Sequence, residues 1–278
     1  MDITAHTFLI IAGQPKAGTT SLFHWLGQHP EICPSTFKET RFFLDPEYPL
    51  PRNIASDALE DYVASFPDRA CPVLLEASPD YLFSQRFLDA KEQLPNHKIV
   101  VITRDPVERM QSAWRYFRQR GTISQDTGFD AFVALQDHEV TPGTPLEKRA
   151  LDQCRDIYLE RVQQAFAPHV LVIDFAAMSA DPAETCRQVI DFCGLKAECV
   201  DDFSFGIENQ SKQVKNAGAS RAFFAIRRQM VRIAGPKLKS LLRPLSKATQ
   251  NALHRDLSKS DEITDETRQF ILDFQQSR

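Results

Sequence analysis

Apolar positions fall into short β-rich runs, separated by stretches in which they return at helical spacing. The first run, 7–12 (TFLIIA), ends at Gly13. An unbroken apolar run of that length, closed by glycine, predicts a strand buried on both faces of a parallel sheet. Runs of the same kind occur at 73–76 (VLLE), 98–103 (KIVVIT) and 170–174 (VLVID). A helix is expected at about 19–28, and 84–94, 106–119 and 148–166 carry helical period. Strands alternating with helices specify an α/β fold, and the crossovers that parallel strands require place helices on both faces of the sheet. Segments 45–56 and 121–147, rich in turn-forming residues, read as surface excursions. With no repeat or low-complexity linker, 1–278 is expected to form one domain.

Composition narrows the class. With 42% apolar and 25% charged residues, 10 Gly and 17 Pro, the chain is neither disordered nor fibrous. Six cysteines without a CxxC pair argue against a zinc module and against a disulfide scaffold, which fits a reducing compartment. The start, MDITAHTFLIIAG, lacks a basic leader, and no run reaches the roughly 18 apolar residues of a membrane span. A cytoplasmic protein is expected. The net charge of −4 hides an asymmetry, because 209–255 holds eleven Lys/Arg and no Asp or Glu. Such a stretch suits a polyanionic ligand or an anionic surface, and leaves peripheral membrane contact open. Its aromatics, Phe223 and Phe224, are adjacent rather than interleaved, so nucleic acid is not expected as a partner.

The candidate chemistry starts at the glycine loop. Gly13-Gln14-Pro15-Lys16-Ala17-Gly18-Thr19-Thr20-Ser21 lies between the first strand and a helix, where free amides bind anions. The small residues Ala17 and Gly18 let the backbone approach closely, Thr19, Thr20 and Ser21 offer hydroxyls, and Lys16 brings positive charge. The fold is therefore expected to be P-loop-like. A nucleoside-triphosphate P-loop would read GxxxxGK[ST], but Thr19 stands at its lysine position and the lysine has moved three residues earlier. A kinase or other phosphotransferase is the alternative that this displacement disfavours. The run 98–103 is followed by Arg104-Asp105-Pro106 and a helix bearing Ser112. Arg104 then lies at the carboxyl edge of the sheet, where open α/β folds bind ligands, and with Ser112 can grip a second phosphate. The competing reading pairs Arg104 with Asp105 or Glu108.

Together, QPKAGTTSL after the first strand and ITRDPVERMQSAWRYF after a later one resemble the sulfotransferases that use 3′-phosphoadenosine 5′-phosphosulfate (PAPS). The resemblance implies that Lys16 and the loop through Ser21 hold the 5′-phosphosulfate, that Arg104 and Ser112 hold the 3′-phosphate, and that no metal is needed. Phe37-Lys38-Glu39-Thr40-Arg41-Phe42-Phe43 and Leu75-Glu76-Ala77-Ser78-Pro79-Asp80-Tyr81 look like two further elements of the carbohydrate and bacterial branch. The first implies Glu39 as catalytic base. Two departures stand out: Arg41 where many relatives have histidine, and Ala77 where many have lysine. Arg41 is therefore expected to help neutralise the sulfuryl oxygens. A looser match suggests Lys215 or Arg221 as closing over the nucleotide. The implied reaction is sulfuryl transfer to a hydroxyl or amine of a carbohydrate, glycolipid or small metabolite, with Lys16 stabilising the leaving group. A non-catalytic nucleotide-binding protein is the other alternative, kept open by Ala77.

Overall fold

The computed structural model describes residues 3–68, 70–206, 213–214, 254–255 and 263–277. Five parallel strands, β1 (Thr7–Gly13), β2 (Ile32–Pro34), β3 (Val73–Ala77), β4 (His97–Thr103) and β5 (Val170–Asp174), form one sheet in the order β2-β3-β1-β4-β5. The helices are α1 (Thr19–Leu26), α2 (Leu59–Val63), α3 (Gln85–Asp89), α4 (Pro106–Arg120), α5 (Phe129–Ala134), α6 (Ile157–Phe166), α7 (Phe175–Ala180), α8 (Pro182–Phe192) and α9 (Asp265–Gln275). Gln213–Val214 and His254–Arg255 pair as a separate antiparallel ladder.

Strand periodicity divides the core. Phe8, Ile10 and Ala12 of β1 join Leu74, Ile99 and Val101 on one face, which Phe87 of α3 and Phe166 of α6 cover. Leu9 and Ile11 join Leu75, Val100 and Ile102 on the other, under Leu22 of α1 and Val189 of α8. The sheet therefore has helices on both faces, as its unbroken apolar strands predict. A third cluster, around Trp114 of α4, Phe132 of α5 and Ile271 of α9, fastens the last described helix to the domain.

Local chemistry sets the boundaries. Helix α4 starts where Asp105 caps the Glu108 amide at 2.8 Å with Pro106 behind it, and stops at Gly121, whose φ is 70°. The expected helix 148–166 is shorter, running only over Ile157–Phe166. Upstream of it, Gln136 Oε1 accepts from the Ala150 and Leu151 amides, while the Arg149 guanidinium donates to the carbonyls of Thr141, Pro142 and Thr144. Side chains thus satisfy backbone groups that a longer helix would have paired. Strand β2, which the apolar pattern did not mark, is three residues at the sheet edge, where Pro34 is tolerated.

One buried carboxyl organises the carboxyl edge. Glu76, on β3, is fully buried. Its Oε1 accepts from Thr40 Oγ1 at 2.5 Å, the Thr40 amide at 3.2 Å, Ser78 Oγ at 2.5 Å and Tyr81 OH at 3.0 Å, and its Oε2 accepts from Tyr62 OH at 2.9 Å. Burial pushes the carboxyl up, against the hydrogen bonds of Ser78, Thr40 and the two tyrosines. Glu76→Ala strands these donors and should lower the unfolding free energy by about 3 kcal/mol or more, against about 1 kcal/mol for Tyr62→Phe. Urea denaturation of the two variants checks that order.

Candidate active site

The chain connects β1 leftward to β2 and β3, and β4 rightward to β5, so the order reverses between β1 and β4. Ligands of open α/β sheets bind in the crevice at such a reversal. Here the loop after β1 and Arg104 after β4 meet across it. Arg104 donates from its NH1 to the Lys16 carbonyl at 3.0 Å, and its amide donates to Gln14 Oε1 at 3.2 Å. Its guanidinium lies 4.4 Å over the Phe175 ring, and its Nε and NH2 contact Glu108 at 3.3 and 3.2 Å. Arg104 thus makes the Glu108 pair of the competing reading while also reaching the loop carbonyl.

Backbone shape aims the loop. Gly18 has φ 81°, and a Cβ there would come within 2.5 Å of Met178 and 2.9 Å of Phe175. Both conformation and packing therefore require glycine. Among the described residues, Lys16 (φ 68°) and Arg41 (φ 55°) are the non-glycine residues in left-handed backbone. Each holds a sparsely populated conformation, a cost of about 1–3 kcal/mol that marks functional loops. Helix α1 lacks a side-chain cap, and among the described residues the Thr19 and Thr20 amides donate no hydrogen bond. Open amides at a helix start, small residues and an adjacent lysine fit an anionic phosphate or sulfate oxygen.

Lys16 is half-buried, with Nζ 4.2 Å from the Tyr116 ring centroid. Burial pushes its ammonium down to about 8, opposed by Glu39 and assisted by Arg104, Lys38 and Arg120. The resulting proximity of positive charges is a site prepared for an anion. Ser112 lies buried on α4. Lys215 and Arg221 fall outside the described residues.

The second wall comes from the segment after β2. Glu39 Oε1 lies 3.1 Å from Lys38 Nζ, and its Oε2 lies 2.5 Å from Arg41 NH2. Burial alone would raise this carboxyl, but Lys38 and Arg41 outweigh it and hold it down at about 2. Arg41 also donates to the Pro51 carbonyl at 3.2 Å, and its amide donates to Ser78 Oγ at 3.1 Å. Ala77 is buried on β3, and its amide donates to the Lys38 carbonyl at 3.1 Å. Glu39, Lys38 and Arg104 all act on Lys16, while Glu39, Arg41 and Asp80 act on Tyr116. The expected Lys16, Glu39, Arg41 and Arg104 therefore converge on one crevice.

Gln14, Tyr116, Tyr48 and Asp80 belong to the same surroundings but were not selected from sequence. Asp80, Gln14 and Tyr116 stand within the motifs of the family resemblance, so a signal for them existed, whereas Tyr48 lies in the 45–56 excursion. Cys193 packs against the core, and burial pushes its thiol up to about 12. All six cysteines are free. Among the described residues, no helix is long and apolar enough to cross a membrane.

Residues 6–224 match the family described as the sulfotransferase domain, and the chain belongs to that family. It is 28% identical over 212 residues to the human bifunctional heparan sulfate N-deacetylase/N-sulfotransferase 3, a match covering 68% of this chain and 22% of that protein. It is 30% identical over 215 residues to the mouse enzyme of the same description numbered 1, covering 67% and 22% respectively. The chain thus spans about a fifth of the length of these curated relatives. Among solved structures, a sulfotransferase from Alicyclobacillus acidocaldarius is similar with a TM-score of 0.63 and 26% identity, over 73% of this chain and 85% of that one.

Because the Lys16 ammonium titrates at about 8, its attraction for an anion should fade as pH rises through that value. Calorimetric affinity for adenosine 3′,5′-bisphosphate should decline above pH 8 in the wild type. In Lys16→Met it should be weaker throughout and lack that decline.

Proposed function

We propose that this sulfotransferase-family protein moves a sulfuryl group from PAPS to an amine or hydroxyl of a carbohydrate acceptor. The observation that carries the reading is the convergence, at the β1/β4 crevice, of open loop amides with Lys16 and Arg104. The loop amides and Lys16 would hold the 5′-phosphosulfate, and Arg104 with Ser112 the 3′-phosphate. Lys215 and Arg221 remain candidates for closing over the nucleotide. The donor supplies an activated sulfuryl group, and the protein supplies position and charge. Lys16 neutralises charge left on the bridging oxygen when the S–O bond breaks.

Glu39 is the candidate base on the acceptor side. Its ionised carboxylate accepts a hydrogen bond from an N–H or O–H at any working pH, although Lys38 and Arg41 make it a weak holder of a proton. Arg41 stands in the same charge cluster and is proposed to balance the sulfuryl oxygens in place of the lysine absent at Ala77. The names of the relatives favour a glycan of the heparan sulfate kind as acceptor, with glycolipids and small hydroxylated metabolites as the wider class. An anionic glycan would also give the basic 209–255 stretch a partner, besides membrane surface.

Titration without metal should show binding of adenosine 3′,5′-bisphosphate and little binding of ATP, and radiolabelled sulfate from PAPS should pass to N-deacetylated heparan chains. Tight magnesium-dependent ATP binding with no sulfate transfer would reverse the assignment. Arg41→Ala should lower kcat by about tenfold or more while leaving affinity for the bisphosphate within about threefold. Equal losses in both would place Arg41 in nucleotide binding instead.

A further inference from the structure

Asp80 occupies the turn after β3, and it differs from Glu39 in every feature that sets a carboxylate's chemistry. It is 8% exposed. Tyr48 OH donates to its Oδ1 at 2.6 Å, and Gln153 Nε2 donates to that same Tyr48 oxygen at 3.0 Å. Among the described residues no cation lies within ion-pair distance of Asp80, and Oδ2 accepts no hydrogen bond. Glu39, by contrast, has a cation on each oxygen.

We infer that Asp80, in place of Glu39, is the residue on which the acceptor's proton ends, with Oδ2 as the receiving atom and the Tyr48–Gln153 chain holding Oδ1. This rests on the sulfotransferase reading above. In the step, the acceptor nitrogen or oxygen bonds to sulfur, and the S–O bond to the 5′-phosphate breaks with its electron pair kept by that phosphate. The proton leaving the acceptor then bonds Oδ2. The charged and titratable surroundings are Glu39, Arg41 and Lys38 of the segment after β2, Tyr48 of the 45–56 loop, and Tyr116 of α4, while Arg149 lies over the Tyr48 ring at 5.1 Å.

Burial pushes the Asp80 carboxyl up to about 6, opposed by the Tyr48 hydrogen bond and by Arg41 and Lys38, and assisted by Glu39. A carboxylate at about 6 holds a proton roughly 10⁴-fold more tightly than one at about 2. General-base catalysis is most efficient when the base titrates close to working pH. Glu76 binds Ser78 on one side and Thr40 on the other, so one anchor holds the segments that carry Asp80 and Glu39 beside each other.

The pH dependence of sulfate transfer from PAPS to N-deacetylated heparan chains separates the two carboxylates. Wild-type kcat should fall below an apparent pKa of about 6. Asp80→Asn should lose about 10²-fold or more in kcat and lose that acid limb, with calorimetric affinity for adenosine 3′,5′-bisphosphate unchanged. Glu39→Gln should be slower yet keep the limb. Tyr48→Phe, which removes a hydrogen bond to the ionised form, should stay active and move the limb to higher pH. The infrared difference between wild type and Asp80→Asn should show a protonated-carboxyl band that vanishes as pH rises through about 6. An acid limb that persists in Asp80→Asn, as one owed to the acceptor amine would, overturns the inference. So does a Tyr48→Phe limb that stays in place. Absence of any transfer by the wild type would instead reject the sulfotransferase reading, and Asp80's role with it.

Discussion

The burial of Glu76 in the middle of a hydrophobic sheet is the constraint on which the site depends. A carboxyl there is tolerated only when its oxygens are satisfied by hydrogen bonds, and Thr40, Ser78, Tyr62 and Tyr81 supply them. Two of those donors sit beside the candidate site residues: Thr40 lies between Glu39 and Arg41, and Ser78 precedes Asp80 by two positions while accepting a hydrogen bond from the Arg41 amide. A requirement of the core thus fixes the wall that carries Glu39, Arg41 and Asp80. The aromatic shell of Phe42, Phe43, Tyr62 and Tyr81 packs around the same point and keeps water away from it.

Opposite that wall, the β1 loop and Arg104 are placed by strand order rather than by a side-chain network. The reversal between β1 and β4 opens a crevice at their carboxyl ends, and the Arg104–Lys16 carbonyl contact spans it. The cost appears in the backbone and in the charges. Lys16 and Arg41 adopt left-handed conformations, and burial near other cations weakens the Lys16 ammonium. An anion bound there would relieve that repulsion.

Within the Glu76-anchored wall, two carboxylates sit in unlike surroundings. Glu39, paired with two cations, is a permanently ionised group, while Asp80, buried against a tyrosine, lies near neutrality. Environment thus separates two chemically similar side chains, which is what the proposed division between orienting an acceptor and taking its proton would require.

The four long apolar strands, their order along the chain and the anion loop were legible in the residues, because buried parallel strands are continuous apolar runs and a glycine-bounded strand-to-helix turn has few other uses. The motifs marked Lys16, Glu39, Arg41 and Arg104 as candidates, and the fold brings these four to one crevice. The edge strand β2 was not legible, being too short for periodicity to mark, nor was the early end of the 148–166 helical stretch, where Gln136 and Arg149 intercept the backbone from distant positions. The meeting of Asp80 with Tyr48 and Gln153, 32 and 105 residues apart from Tyr48 respectively, was equally invisible. Local sequence determines which segments must be buried and where an anion can be held, since both follow from neighbouring residues. Which carboxylate keeps its charge and which nears neutrality is set by long-range contacts and desolvation, and those exist only once the chain has folded.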